Sequence, residues 1–227
     1  MECHSFRKRV WEKFLVRHKV VEHSTELFTH EDGICSTTFK GRMTSKRPFL
    51  IRNPSMENLL IDQAALLESS FHSGSAKYDG LIYLMFSFEK GEVVPLYIGK
   101  TETLGKSQNL SENIRNLKAN KGKFARWGDG YQYHIGDLSA VVLKGHSVDK
   151  KATKYTDWAD ALFLDYPTDN PKLRRPIRFW CKAWQSSNVG VWEDFGSTSL
   201  TFLEYQMIGV ASSLYPDDLL NREGQNR

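Results

Sequence analysis

Gly80-Leu81-Ile82-Tyr83-Leu84-Met85-Phe86-Ser87-Phe88-Glu89-Lys90-Gly91-Glu92-Val93-Val94-Pro95-Leu96-Tyr97-Ile98-Gly99-Lys100-Thr101 is the stretch that decides the fold. Ile82, Leu84, Phe86 and Phe88 share one face of an extended strand, which leaves Tyr83 and Ser87 on the other. In the second half, the same alternation sets Tyr97 opposite Leu96 and Ile98. Glu89-Lys90-Gly91 reads as a three-residue hairpin loop with Gly91 in the left-handed position such loops favour. Folding about Lys90 places Tyr83 directly across from Tyr97, so two phenols project side by side from one sheet face. Pro95 cannot donate a ladder hydrogen bond, so its strand begins late or lies at an edge.

A chain of 227 residues has room for one sizeable core and a small accessory domain. With 40% hydrophobic and 26% charged residues it reads as soluble and globular. No stretch approaches the roughly 18 uncharged apolar residues a membrane span requires. The start of the chain shows no apolar run followed by a small-residue cleavage site, so a cytoplasmic location is expected. Cys3, Cys35 and Cys181 are far apart and odd in number, which fits reduced thiols rather than a disulfide framework or a zinc cluster. His18 and His23 are expected on a solvated helical face.

The net charge of +4 is unevenly placed. Residues 1–52 hold eleven Lys or Arg against six Asp or Glu, and residues 100–130 hold seven against three. Basic clusters of this size suit phosphate contacts. Helical spacing predicts helices over residues 7–21, 58–70, 110–117, 156–164 and 199–215, the last with a buried stripe of Leu200, Leu203, Met207, Val210 and Leu214. Strands are predicted at 36–39, 49–51, 131–143 and 177–185. Residues 71–79 read as a linker with a domain boundary near Lys77. Gly99-Lys100-Thr101 and Gly105-Lys106-Ser107 each end like a P-loop. The glycine required five places earlier is Val94 in one and Lys100 in the other, which excludes that motif.

The two tyrosine segments, Gly80-Leu81-Ile82-Tyr83 and Leu96-Tyr97-Ile98-Gly99, resemble the paired signature of the GIY-YIG nucleases. The resemblance implies an α+β fold, a small antiparallel β-sheet core flanked by helices, here with an N-terminal helical and mixed extension. In that family two motif tyrosines, an arginine on the next helix, a metal-binding glutamate and a later asparagine form the site. Carried over by motif, these are Tyr83, Tyr97, Arg115, Glu204 and Asn221. Lys100, after the second motif's glycine, is similar to a lysine of several restriction-enzyme members.

The roles the resemblance implies follow from charge and reach. Glu204 would hold Mg2+, with Mn2+ as a substitute, through one carboxylate, because this hard ion keeps much of its water. Arg115 would clamp the phosphate through paired donors. Tyr83 would take a proton from the attacking water, its pKa lowered from about 10 by Lys100 and the metal. Tyr97 would orient water or phosphate.

Gly80 stands one place further from Tyr83 than the family motif prescribes. The histidine many members carry four residues after the arginine is Ala119 here, which transfers any such role, to His134 for example. The resemblance covers residues 78–224 and implies a nuclease domain over residues 78–227 with an insertion around residues 145–190. Residues 1–77 are expected to form a basic N-terminal extension that contributes to target binding. The expected activity is metal-dependent hydrolysis of double-stranded DNA by a restriction or defence endonuclease, dimerising to cut both strands. The alternative is a nucleic-acid-binding or interaction protein that keeps this fold without catalysis.

Overall fold

The computed structural model describes residues 2–41 and 46–225, and the side chains of Glu2 and Cys3 lie outside the described set. Along the chain run α1 (Glu2–Arg17), β1 (Thr25–Glu26), β2 (His30–Glu31), β3 (Ile34–Cys35), β4 (Thr37–Lys40), β5 (Arg47–Leu50) and α2 (Pro54–His72). They are followed by β6 (Gly80–Glu89), β7 (Glu92–Glu102), α3 (His134–Val142), α4 (Thr153–Leu162), β8 (Arg178–Trp184) and α5 (Leu200–Leu214). The architecture is α+β: one antiparallel sheet in the order β1-β8-β6-β7, with helices on both faces. β2 with β3, and β4 with β5, make two separate ribbons.

Alternation along β6 sorts the core into two halves. Ile82, Leu84 and Phe86 meet Trp180 and Trp184 of β8 and are covered by Trp11 and Phe14 of α1 and by Leu203 and Met207 of α5. Leu81, Tyr83 and Met85 face the other way, against Phe179 and Cys181 and under α2, α3 and α4. Both sheet faces are therefore buried, which explains why the two aromatic residues Trp180 and Trp184 pack as core rather than stand exposed as a stacking platform. The segment before Lys77 is built into these same layers, since β1 pairs with β8 and α2 packs on the sheet. Residues 145–190 supply α4 and β8, and β8 lies directly beside β6. Among the described residues no helix is long and apolar enough to cross a membrane.

The hairpin departs from the predicted register in two places. Its turn holds two residues rather than three: Lys90 and Gly91 are both left-handed, with φ of 50° and 83°, and Glu89 pairs with Glu92. Such a turn matches the twist of the strands it joins. Further along, Met85 pairs with Tyr97 while Phe86 pairs with Pro95, leaving Leu96 as an extra, bulged residue. Each change slides β7 by one place relative to the expectation, and two such slides restore the original face. Tyr83 thus lies opposite Gly99 rather than Tyr97, yet the two tyrosines still share a face. β7 is an edge strand, as Pro95 implies.

Three other expectations are corrected. Residues 131–143 do not form a strand: His134–Val142 is α3, buried nearly all round. A short apolar run buried on every side carries no period that separates helix from strand. The helix predicted over residues 110–117 is absent: Leu110 bridges Leu104, and residues 112–119 form successive turns. Asn116 is left-handed at φ 57°, and its N–H turns aside to Glu68 at 3.0 Å. His18 is buried rather than solvated, with Nε2 3.2 Å from the Val189 carbonyl oxygen.

Gly99 has a steric reason to be glycine. A Cβ there would stand 2.5–2.7 Å from Cε2, Oη and Cζ of Tyr83, whose ring lies across the strand. Gly99→Ala is expected to lower stability in urea unfolding by about 1–3 kcal/mol, the usual cost of overpacking a filled interior.

Candidate active site

Tyr83 and Tyr97 sit with ring centroids 6.3 Å apart. Tyr83 is enclosed, 3% exposed, with Trp127 at 5.6 Å and Phe179 at 6.2 Å. Tyr97 is half-buried and rests on Trp158 at 4.8 Å and His134 at 5.2 Å. Because α5 lies against β7, Glu204 comes close enough to Lys100 for that residue's charge and backbone to draw its carboxylate down. The Lys100 carbonyl accepts the Tyr83 hydroxyl at 3.5 Å. Lys100 thus neighbours both the acid of α5 and the phenol of β6.

The electrostatics differ from the sequence expectation. Burial is the largest cause pushing the Tyr83 phenol well above its ordinary value, with Tyr97, Glu204 and Tyr155 adding to it and Arg126 opposing it. Burial and then Glu204 also push Tyr97 up, to about 12. Lys100 does not rescue Tyr83, because its ammonium turns to Glu102 at 2.5 Å. Both phenols are therefore neutral near pH 7; Tyr83 donates its O–H to the Lys100 carbonyl, and the half-buried Tyr97 keeps an O–H for a ligand. Glu204 is itself raised, chiefly by burial and further by Glu102, while the Lys100 charge and main chain draw it down.

The remaining expected residues are placed differently. Arg115 is exposed, lies in the turns of residues 112–119 and pairs with Glu112. It borders a separate hollow with Glu68 and His72, away from the tyrosines. The arginine whose charge reaches Tyr83, Tyr97 and His134 is Arg126. It follows Ala125 in consecutive left-handed conformations, φ 36° and 70°, and donates to the Gln132 carbonyl at 2.9 Å. Arg126, Lys100, Thr101 and Lys106 line a cleft of about 1040 Å³ that also meets the start of α5. Periodicity could not locate Arg126, because this arginine stands in an irregular loop. The only sequence signal was its neighbour Trp127 within Arg126-Trp127-Gly128-Asp129-Gly130.

Asn221 is committed to the backbone. Its Oδ1 accepts the Ile98 N–H at 3.0 Å and its Nδ2 donates to the Ile98 carbonyl at 2.8 Å, while Leu220 N–H bonds the Leu96 carbonyl at 2.8 Å. Residues 220 and 221 thus cover the free edge of β7. His134 is buried against Tyr97, with Nδ1 2.9 Å from the Tyr155 hydroxyl and Nε2 without a hydrogen bond. Burial first, then Lys154 and Arg126, hold its imidazole neutral.

Among the described residues no three His, Cys, Asp or Glu side chains converge on a metal position. A single carboxylate, desolvated and incompletely compensated, is a donor set suited to a hard divalent ion that retains its own water. No protein family, curated protein or solved structure matches the chain.

Two measurements check this arrangement. A phenol held up by folding stabilises the chain fully below its unfolded value of 10, and that contribution is lost as pH rises toward the folded value of about 12. Stability in urea should therefore fall over that window, and Tyr97→Phe should flatten the fall. Asn221→Ala leaves both Ile98 backbone groups unpaired, so a loss of about 1–3 kcal/mol in thermal or urea unfolding is expected.

Proposed function

We propose that this chain is a divalent-metal-dependent DNA endonuclease of the GIY-YIG type, acting as a restriction or defence nuclease. The observation that carries the proposal is the pairing of Tyr83 with Tyr97 within the electrostatic reach of the distant Glu204. Glu204 is the residue that would hold Mg2+ or Mn2+, which supplies positive charge against the phosphate and a more acidic water. Arg126 takes the phosphate-clamping role first expected of Arg115, since its guanidinium offers paired donors beside the tyrosines.

Tyr97 acts as the proton-carrying group that orients water and phosphate, while Tyr83 holds the strand at Lys100 through its hydroxyl. Neutralising Glu204 removes one of the charges that raise Tyr83, which moves its phenol toward the ionised form that a base requires. Double-stranded DNA is the preferred substrate, supported by the basic residues Lys100, Lys106 and Arg126 along the cleft and by the net +5 of residues 1–52. Cutting both strands would call for a pair of chains. The free, buried thiols Cys35 and Cys181 support a reducing, cytoplasmic setting.

Plasmid nicking in Mg2+ and Mn2+ tests the reading. Glu204→Ala and Arg126→Ala should each slow cleavage by roughly 10²–10³-fold, and Tyr83→Phe should abolish most activity. Arg115→Ala should stay close to the wild type. Equal rates in all variants would remove this site, and binding without cleavage would point to the non-catalytic alternative.

A further inference from the structure

Every phosphodiester hydrolysis leaves one oxygen to be protonated as it departs, and none of the groups assigned above does this. Lys154, in the first turn of α4, is the cation placed for it. Its Nζ lies 3.4 Å from the Tyr97 hydroxyl and donates to it. The same ammonium stands over three rings, 4.7 Å from the centre of Tyr97 and 5.6 Å from those of Tyr155 and Trp158.

A lysine in such a setting ordinarily finds a carboxylate. Among the described residues Lys154 makes no ion pair, and Arg222, whose charge reaches it, is held by Asp157. The aromatic faces attract the cation without accepting its protons, so N–H donors remain to be used. Lys154 is also half-buried, open enough to solvent for a substrate to reach it.

We propose that Lys154 is the general acid of this site, giving its proton to the departing sugar oxygen of the scissile phosphodiester. The assignment rests on the nuclease reading above. The oxygen of the attacking water forms the new bond to phosphorus and sheds a proton to bulk solvent, and the bond from phosphorus to the departing oxygen breaks. The electron pair of that bond stays on the departing oxygen, which takes a proton from the Lys154 ammonium. Lys154 is left as a neutral amine and recovers its proton from solvent.

The surroundings favour this exchange. Burial is the main cause lowering the Lys154 pKa, Arg222 and Arg126 lower it further, and Asp137 and Glu223 oppose them more weakly. An amine brought down from its usual value is a better proton donor near neutral pH than an exposed lysine. Tyr97, sharing the Lys154 proton donor on its hydroxyl, holds the ammonium in place until the phosphate arrives.

The test uses the full chain with two sets of duplex oligonucleotides. One set is all-oxygen DNA, and the other carries sulfur in place of the bridging oxygen, on either side of phosphorus in separate substrates. A thiolate is a stable leaving group that needs no proton. Lys154→Met should lose about 100-fold or more on all-oxygen DNA, and remain within about threefold of the wild type on the substrate whose departing atom is sulfur. Lys154→Arg keeps the charge but is too weak an acid, so it should show the same split, and thermal melts of both variants report folding.

Equal losses on both substrates, or no loss on either, would overturn the acid role while leaving the nuclease reading standing. A wild type that cleaves neither set would remove both.

Discussion

The approach of β6 to β7 at Tyr83 and Gly99 is the constraint on which the rest of the structure depends. With no Cβ at Gly99, the Tyr83 ring lies across the neighbouring strand and its hydroxyl meets the Lys100 carbonyl. That contact fixes where Lys100 stands. Glu204 of α5 comes close enough to Lys100 for that residue's charge and backbone to draw its carboxylate down. A larger residue at Gly99 would push the phenol outward and separate groups that come from three different elements.

Burial, rather than charge, governs the chemistry of the two phenols. Tyr83 lies between Trp127 and Phe179, and Tyr97 on Trp158 and His134, so a phenolate at either place would be deprived of water. The nearest lysine ammonium that the strand offers, that of Lys100, is spent on Glu102. The charges that do reach the tyrosines come from elsewhere in the chain: Arg126 from an irregular loop and Lys154 from α4. Both bring positive charge to a place that already holds a desolvated carboxylate, which is a field suited to an anion bound together with a cation.

The sheet edge shows how the C-terminal segment contributes. β7 would otherwise expose a row of unpaired backbone groups. Leu220 and Asn221 bond Leu96 and Ile98. The edge that carries Tyr97 is thus stiffened along its length by groups far away in the sequence. Asn221 belongs to that cover, its amide wholly engaged by Ile98.

Local patterning determined much of this protein by itself. The alternation in Ile82, Leu84 and Phe86 marked β6, the stripe of Leu200, Leu203, Met207 and Val210 marked α5, and Pro95 marked an edge. These features depend on side chains a few residues apart, whose spacing is written directly into the chain. The shared face of the tyrosines was legible for the same reason, although their exact partners were not, since a shorter turn and a bulge at Leu96 each moved the register by one. Only the tertiary structure decided that α3 is a helix, that Arg115 stands apart, and that Arg126, His134 and Lys154 gather at Tyr97. Those outcomes turn on left-handed loop residues and on long-range burial, and neither leaves a period in the sequence to be read.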